Sequence, residues 1–273
     1  MSEVVRDYYN REVDSEWERL SRPHGRLEME STLRLIGEHF PPAGRVADIG
    51  GGPGRYAIEL LRHGYRVTLV DLAERNVKFA QAKLAELGLT ADAVVCADAR
   101  DLSFLAAESF DAALVLGPMY HLVEEADRRT ALLELRRILK PGAPAIVGFI
   151  NPWGVLRAGL GEFPELYVDD TLIRQLLSTC AQVGEQRAFT EASFLTPPQA
   201  IVELREAGFS VDVRVGAEGF AGGMSVEVRK LAEEHPEAYE NVLRLVAETC
   251  DMPAFRDSTE HLQVVVRRLE PPA

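Results

Sequence analysis

The sequence predicts an α/β fold in which a doubly wound, largely parallel sheet carries helical insertions. Two observations predict it. Short apolar runs, several ending in an acid, alternate with stretches of helical periodicity, as buried parallel strands and their crossover helices do. The first of these runs enters a turn dense in glycine, Asp48-Ile49-Gly50-Gly51-Gly52-Pro53-Gly54.

Taken in order, an N-terminal segment places Tyr8, Tyr9 and Trp17 on an expected helix. Val46–Ile49 reads as the first strand, and a helix is expected from Arg55 through Leu61. Glycines belong where the backbone must take positive φ or pass close to a ligand. Arg66–Asp71 is a second strand ending in an acid, and Ala93–Asp98 a third, followed by Ala99. Phe110–Gly117 is the fourth. Helical periodicity fills 54–63, 74–88 and 125–139, for example at Leu132, Leu135, Ile138 and Leu139. The fifth strand is Pro144–Ile150, the sixth Ser210–Val215 and the last lies near His261–Arg268. Between them, 151–196 is expected to hold helices near Trp153–Gly161 and Asp169–Gly184, and 217–258 two more, around 225–234 and 236–250. Thr196-Pro197-Pro198 is a helix start, an N-cap followed by prolines.

The acid before the glycines decides what the turn can hold. A pyrophosphate-binding turn has the spacing G-x-G-x-x-G. Here the third glycine falls one place early, Arg55 occupies the expected position, and Asp48 would oppose a pyrophosphate. An acid beside exposed backbone suits a ligand bearing an ammonium, as the methionine end of S-adenosylmethionine (SAM) does. Asp71, 23 residues on, lies where an acid can accept hydrogen bonds from two ribose hydroxyls.

These segments, with Phe110-Asp111-Ala112-Ala113-Leu114-Val115 and Leu135-Arg136-Arg137-Ile138-Leu139-Lys140-Pro141-Gly142, resemble the class I SAM-dependent methyltransferases over about residues 45–150 and again at the last strand. The resemblance implies seven strands in the order 3-2-1-4-5-7-6, the last antiparallel. It implies a cofactor site of Asp48, Gly50, Gly51, Gly52, Asp71, Leu72, Asp98, Ala99, Leu116 and Gly117. Gly50 and Gly52 would pass under the methionine part, and Asp71 would hold the ribose. Leu72, Asp98 and Ala99 would meet adenine, with Leu116 and Gly117 beneath the reacting methyl. The expected division is a lid at 1–40, a SAM-binding Rossmann-like core at 41–150, a substrate-lid insertion at 151–196, and the end of the sheet at 197–273 with a second insertion at 217–258.

The loop Gly117-Pro118-Met119-Tyr120-His121-Leu122 carries neither the Asp/Asn-Pro-Pro-Tyr/Phe of base and glutamine N-methylation nor the Pro-Cys of cytosine methylation. It looks like the small-molecule branch, which includes quinone and natural-product enzymes. His121 is the first candidate for a general base, since a neutral imidazole is poised near pH 7; a packing role is as good a reading of it. Tyr120 is a substrate contact or catalytic partner, and His24 a weaker base. The substrate pocket is expected at Tyr8, Tyr9, Met119, Tyr120, His121 and Trp153, with all three covering segments forming a chamber.

Composition narrows the partners. The formal net charge is −13, with no basic cluster beyond short pairs, which argues against a nucleic-acid acceptor because phosphate neutralisation drives such binding. No apolar run of about 18 residues occurs and Met1–Asn10 is polar, so neither a span nor a signal peptide is expected and a cytoplasmic location is. Cys96, Cys180 and Cys250 lack metal or redox spacing; no metal is expected, and all three read as reduced, buried thiols. Two alternatives stand beside methyl transfer: a SAM-binding sensor or non-methylating enzyme, and a nicotinamide oxidoreductase, which the glycine spacing and Asp48 disfavour. The acceptor, the methylated atom and the oligomeric state are not encoded in any motif.

Overall fold

The glycine turn leaves a central strand of a seven-stranded sheet. A computed structural model describes residues 2–168, 170–182, 184 and 189–270. Strand β1 (Arg45–Ile49) pairs in parallel with β2 (Arg66–Asp71) and β4 (Ala112–Val115). β2 continues to β3 (Ala93–Cys96), and β4 to β5 (Pro144–Ile150), both parallel. β7 (His261–Arg268) runs antiparallel between β5 and β6 (Phe209–Gly216). The order 3-2-1-4-5-7-6 is therefore observed as expected. β1, β4 and β5 are buried almost throughout, which is why they read as unbroken apolar runs.

Three helices precede the sheet where one was expected: α1 (Glu3–Arg11), α2 (Val13–Arg19) and α3 (Pro23–His39). On one face of the sheet Leu35 and Ile36 of α3 pack with Tyr56, Ala57 and Leu60 of α4 (Arg55–Arg62). The glycine turn leads into α4, and β2 leads into α5 (Glu74–Glu86). The short α6 (Pro118–His121) follows β4, and α7 (Glu125–Ile138) covers the other face with Leu132 and Leu135.

The insertions do not hang over the glycine turn. α8 (Pro152–Glu162) and α9 (Thr171–Thr179) form the first; Asp169, where the second of these helices was expected to start, lies outside the described residues. A two-residue ladder, 181–182 with 192–193, follows. Phe189, Ala192 and Phe194 then pack behind Tyr120 and Ile150. Next, α10 (Pro197–Glu206) starts with a capping box between Thr196 and Gln199. The second insertion, α11 (Ser225–Glu234) and α12 (Pro236–Thr249), builds a satellite core with Leu27 of α3 through Val228, Tyr239, Leu243 and Val246. It braces α3 from behind.

β3 is an edge strand, so Cys96 is exposed, contrary to its expected burial; Cys180 is half-buried and Cys250 buried. No described helix is long and apolar enough to cross a membrane.

Candidate active site at the glycine-rich edge

Glycine is required at the turn for two separate reasons. Gly50, Gly52 and Gly54 hold φ of 71°, 55° and 92°, a region that other residues enter at a cost. Gly51 has an ordinary φ, but a Cβ there would lie 2.7 Å from Asp48 Oδ2. The Gly50 and Gly51 amides donate to the Val70 carbonyl at 2.7 and 3.2 Å, tying the turn to β2. The Gly52 amide donates to Asp71 Oδ2 at 2.8 Å, and Oδ1 accepts from the Ala73 amide (2.8 Å) and Asn76 Nδ2 (3.2 Å). Asp71 is thus fixed in orientation at the end of β2.

Asp48 lies under the turn, 3% exposed, and its Oδ2 has no hydrogen-bond partner. Burial, reinforced by the neighbouring Asp71 charge, raises its carboxyl to about 7. An unpaired buried carboxylate is costly, so this acid is poised to gain from a cationic ligand.

Asp48, Gly50, Gly51, Gly52, Asp71, Leu72, Ala99, Leu116, Gly117, Tyr120 and His121 all border one cavity at the carboxyl ends of β1, β2 and β4. Asp98 does not. The Arg100 guanidinium holds its carboxylate at 2.8–3.2 Å, bridging on to Asp127. Burial alone would raise this carboxyl, but Arg100 outweighs it and brings it down to about 2. Three of the expected pocket residues also fall elsewhere. Met119 is fully buried in the sheet core, Tyr8 packs edge-on to Tyr9 and Phe189 without bordering the cavity, and Trp153 is 54% exposed on α8.

The wall opposite the glycine turn comes from α1, α2 and α3: Val5, Arg6, Tyr9, Glu16, Arg19, Leu20 and Glu28 border the cavity, joined by Tyr56 of α4. Only Tyr9 of these was expected. Arg19 Nη1 donates to Glu28 at 2.6 Å and Nε to Glu16 at 3.2 Å. Arg55 stacks on Trp17 at 3.6 Å and donates to its carbonyl at 2.7 Å, which fastens α2 to the start of α4.

His121 is not a free base. Its Nδ1 lies 2.8 Å from the Glu191 carbonyl, which can only accept, so Nδ1 carries the proton. Nε2 then accepts from the Tyr9 hydroxyl at 2.6 Å. Burial holds the imidazole down at about 4, hence neutral, and Tyr9, Tyr120 and Phe189 pack around its ring, with Tyr8 against Tyr9 and Phe189.

Residues 46–142 match the family described as "Methyltransferase domain". The tRNA 5-carboxymethoxyuridine methyltransferase of Escherichia coli K12 is 26% identical over 243 residues, covering 86% of this chain and 84% of that one. Among solved structures, a SAM-dependent methyltransferase from Methanosarcina mazei superposes with a TM-score of 0.61 at 18% identity, over 87% of this chain and 98% of the other. The Burkholderia thailandensis 1,6-didemethyltoxoflavin-N1-methyltransferase, with 1,6-didemethyltoxoflavin and S-adenosylhomocysteine bound, gives 0.60 at 16% identity, over 98% and 88%. Residues 46–142 therefore form a methyltransferase domain, on the fold shared with the SAM-dependent methyltransferases.

In this methyltransferase His24, the weaker base candidate, and His261 at the start of β7 belong to a buried network. His261 Nδ1 donates to Glu218 at 2.5 Å, and His24 Nε2 lies 3.1 Å from Glu260. Although burial opposes it, the acids around His261, Glu28 first, push the imidazole up to about 9. His24, Glu218 and Glu260 bring ligand-type atoms within 4.8 Å of one another, but each is matched by a partner of opposite charge. His24 does not border the cavity.

Proposed function

We propose that this methyltransferase acts on a small molecule held between the glycine turn and the N-terminal helices. The observation that carries the reading is the roof. Tyr9, Glu16, Arg19 and Glu28 face Gly50, Tyr56, Gly117 and Tyr120 around one cavity, so an acceptor must fit between helices instead of resting on an open face. Residues 1–40 take the part of the substrate lid, and 151–196 and 217–258 act as its buttresses.

The residues present suit SAM. The unpartnered Asp48 oxygen suits the ammonium of the methionine end, and Asp71, already oriented by Gly52 and Ala73, suits the ribose hydroxyls. Leu72 and Ala99 would flank adenine, with Leu116 and Gly117 near the methyl; Asp98, closed by Arg100, is left out of this set. SAM supplies a sulfonium methyl and leaves as S-adenosylhomocysteine. The protein contributes alignment and the exclusion of water. His121 acts by holding Tyr9 and is not assigned a direct proton transfer.

The likeness to the E. coli tRNA enzyme across most of both chains favours a second reading, a tRNA acceptor. The formal net charge of −13 weighs against it. Methyl-labelled SAM offered with bulk tRNA and, separately, with a deproteinised small-molecule extract separates the two. Label entering the extract is the expected result; label entering tRNA alone would sink the small-molecule reading.

A further inference from the structure

The ribose edge of the cavity is short of lone pairs. A carboxylate offers about four lone-pair positions, two on each oxygen. Oδ1 of Asp71 already accepts from the Ala73 amide at 2.8 Å and from Asn76 Nδ2 at 3.2 Å, which fills it. Oδ2 accepts from the Gly52 amide at 2.8 Å, so one position is left there. A ribose brings two hydroxyl protons to this edge. One of them has no place on Asp71.

Asn76 has the missing lone pair. Asp71 Oδ1 is already an acceptor for the Ala73 amide, so the half of the Asn76 amide that faces it is the NH2. Oδ1 of Asn76 is thereby turned away from Asp71, and it has no hydrogen-bond partner although the residue is only 1% exposed. A buried polar oxygen left unpaired calls for an explanation. Asn76 stands on the first turn of α5 and borders the same cavity as Asp71. The other cavity residues at the ends of β2 and β3, Leu72, Ala73, Ala97 and Ala99, carry no polar side chain. Glu16 lies on the opposite wall and is engaged by Arg19 Nε at 3.2 Å. Arg6 and Arg55 bring donors only.

We propose that Asn76 is a second ribose ligand: its Oδ1 accepts from one hydroxyl of the cofactor, and Asp71 Oδ2 accepts from the other. The proposal rests on SAM lying at this edge of the sheet and changes how it is held there. Asn76 then has two tasks, orienting Asp71 through Nδ2 and receiving the sugar through Oδ1. A cofactor lacking that hydroxyl would leave the oxygen buried and unpaired, so the site discriminates against it.

The test is calorimetry of S-adenosylhomocysteine and its 2′-deoxy and 3′-deoxy analogues, with wild type and Asn76→Ala. Wild type should bind each analogue about five-fold or more weakly than the parent. Asn76→Ala should bind the parent about five- to ten-fold more weakly. One analogue should then lose nothing further, because the partner of its missing hydroxyl has gone, while the other keeps its full penalty. This cycle separates a direct contact from the orientation of Asp71, which would affect the two analogues alike. Alanine suits a helix better than asparagine, and an unchanged melting profile checks the fold; Asn76→Ser repeats the measurement otherwise. Penalties that change alike for both analogues overturn the proposal, as does a variant that binds the parent as tightly as wild type or not at all. If wild type binds the parent but loses nothing with one or both analogues, only this proposal falls. If wild type does not bind S-adenosylhomocysteine, the cofactor placement beneath it falls.

Discussion

Replacing Asp48 with Asn should stabilise the ligand-free protein, and more so as pH rises. The carboxyl moves from 3.8 to about 7 on folding, driven first by burial and then by the Asp71 charge. A raised acid is unstrained below about pH 3.8, where it is protonated in both states; the penalty grows as pH rises and levels off above about 7. At roughly 1.4 kcal/mol per unit, the full shift has a ceiling of about 4 kcal/mol, and relaxation of the turn would trim it to about 2–3. About half of that accrues above pH 5.5. Because Asn does not ionise, the advantage of Asp48→Asn in urea denaturation should increase by about 1–2 kcal/mol between pH 5.5 and 8.5. The same variant should bind SAM more weakly, since it offers no charge to the ammonium. Stability is thus being given up for ligand binding at this position. An advantage that is flat with pH, or a variant less stable than wild type at pH 8.5, would show that Asp48 is an ordinary ionised acid and refute the reasoning.

Three further outcomes follow from the geometry. Asp71→Ala removes a fixed two-oxygen acceptor and should weaken SAM binding by about 1.5–3 kcal/mol in calorimetry; unchanged affinity would remove Asp71 from the proposed ribose contact. His261 is raised from 6.5 to about 9, so its contribution is complete below about pH 6.5 and lost as pH climbs through 9. Urea midpoints should therefore fall between pH 7 and 9.5, and fall less in Glu218→Gln, which lacks the partner at 2.5 Å. Gly154→Ala would put a Cβ 2.0 Å from the Thr259 carbonyl oxygen and should cost about 1–3 kcal/mol by overpacking; a neutral result would mean that the start of α8 can shift off the loop before β7.

The cofactor half of the site was legible because its chemistry is local. Asp48, the glycines and Asp71 sit at strand ends, and a strand-end acid or a forced glycine leaves a mark within a few residues. Strand order came with the family resemblance that those segments carry, and β5 and β7 were placed to the residue because their apolar runs are nearly continuous. The acceptor half has no such mark. Glu16, Arg19 and Glu28 look in sequence like the solvated faces of amphipathic helices, where charge is expected. Their ion pairs are readable only once α1–α3 are folded across the turn. The one clue available was Arg55 in place of a glycine at the start of α4, and its use, stacking on Trp17, requires the folded pair. Trp153 failed for the opposite reason: an aromatic just past a strand end looks like a wall, but the helix it starts packs on Thr259 at Gly154 and leaves the ring in solvent.

His121 shows most sharply how far residue type can carry a mechanism. In sequence it is a histidine beside the expected methyl, the obvious base. Its bonds run instead to Tyr9, 112 positions away, and to the carbonyl of Glu191, 70 positions away. Those two contacts set the tautomer, the tautomer sets the direction of the Tyr9 proton, and that direction decides whether the cavity meets a donor or an acceptor. A residue that type alone would assign to proton transfer is thus committed to holding Tyr9. The distinction is measurable in the kcat and KM split: a base at His121 would make His121→Ala lose mainly kcat, whereas a positioning role puts the loss mainly on acceptor KM.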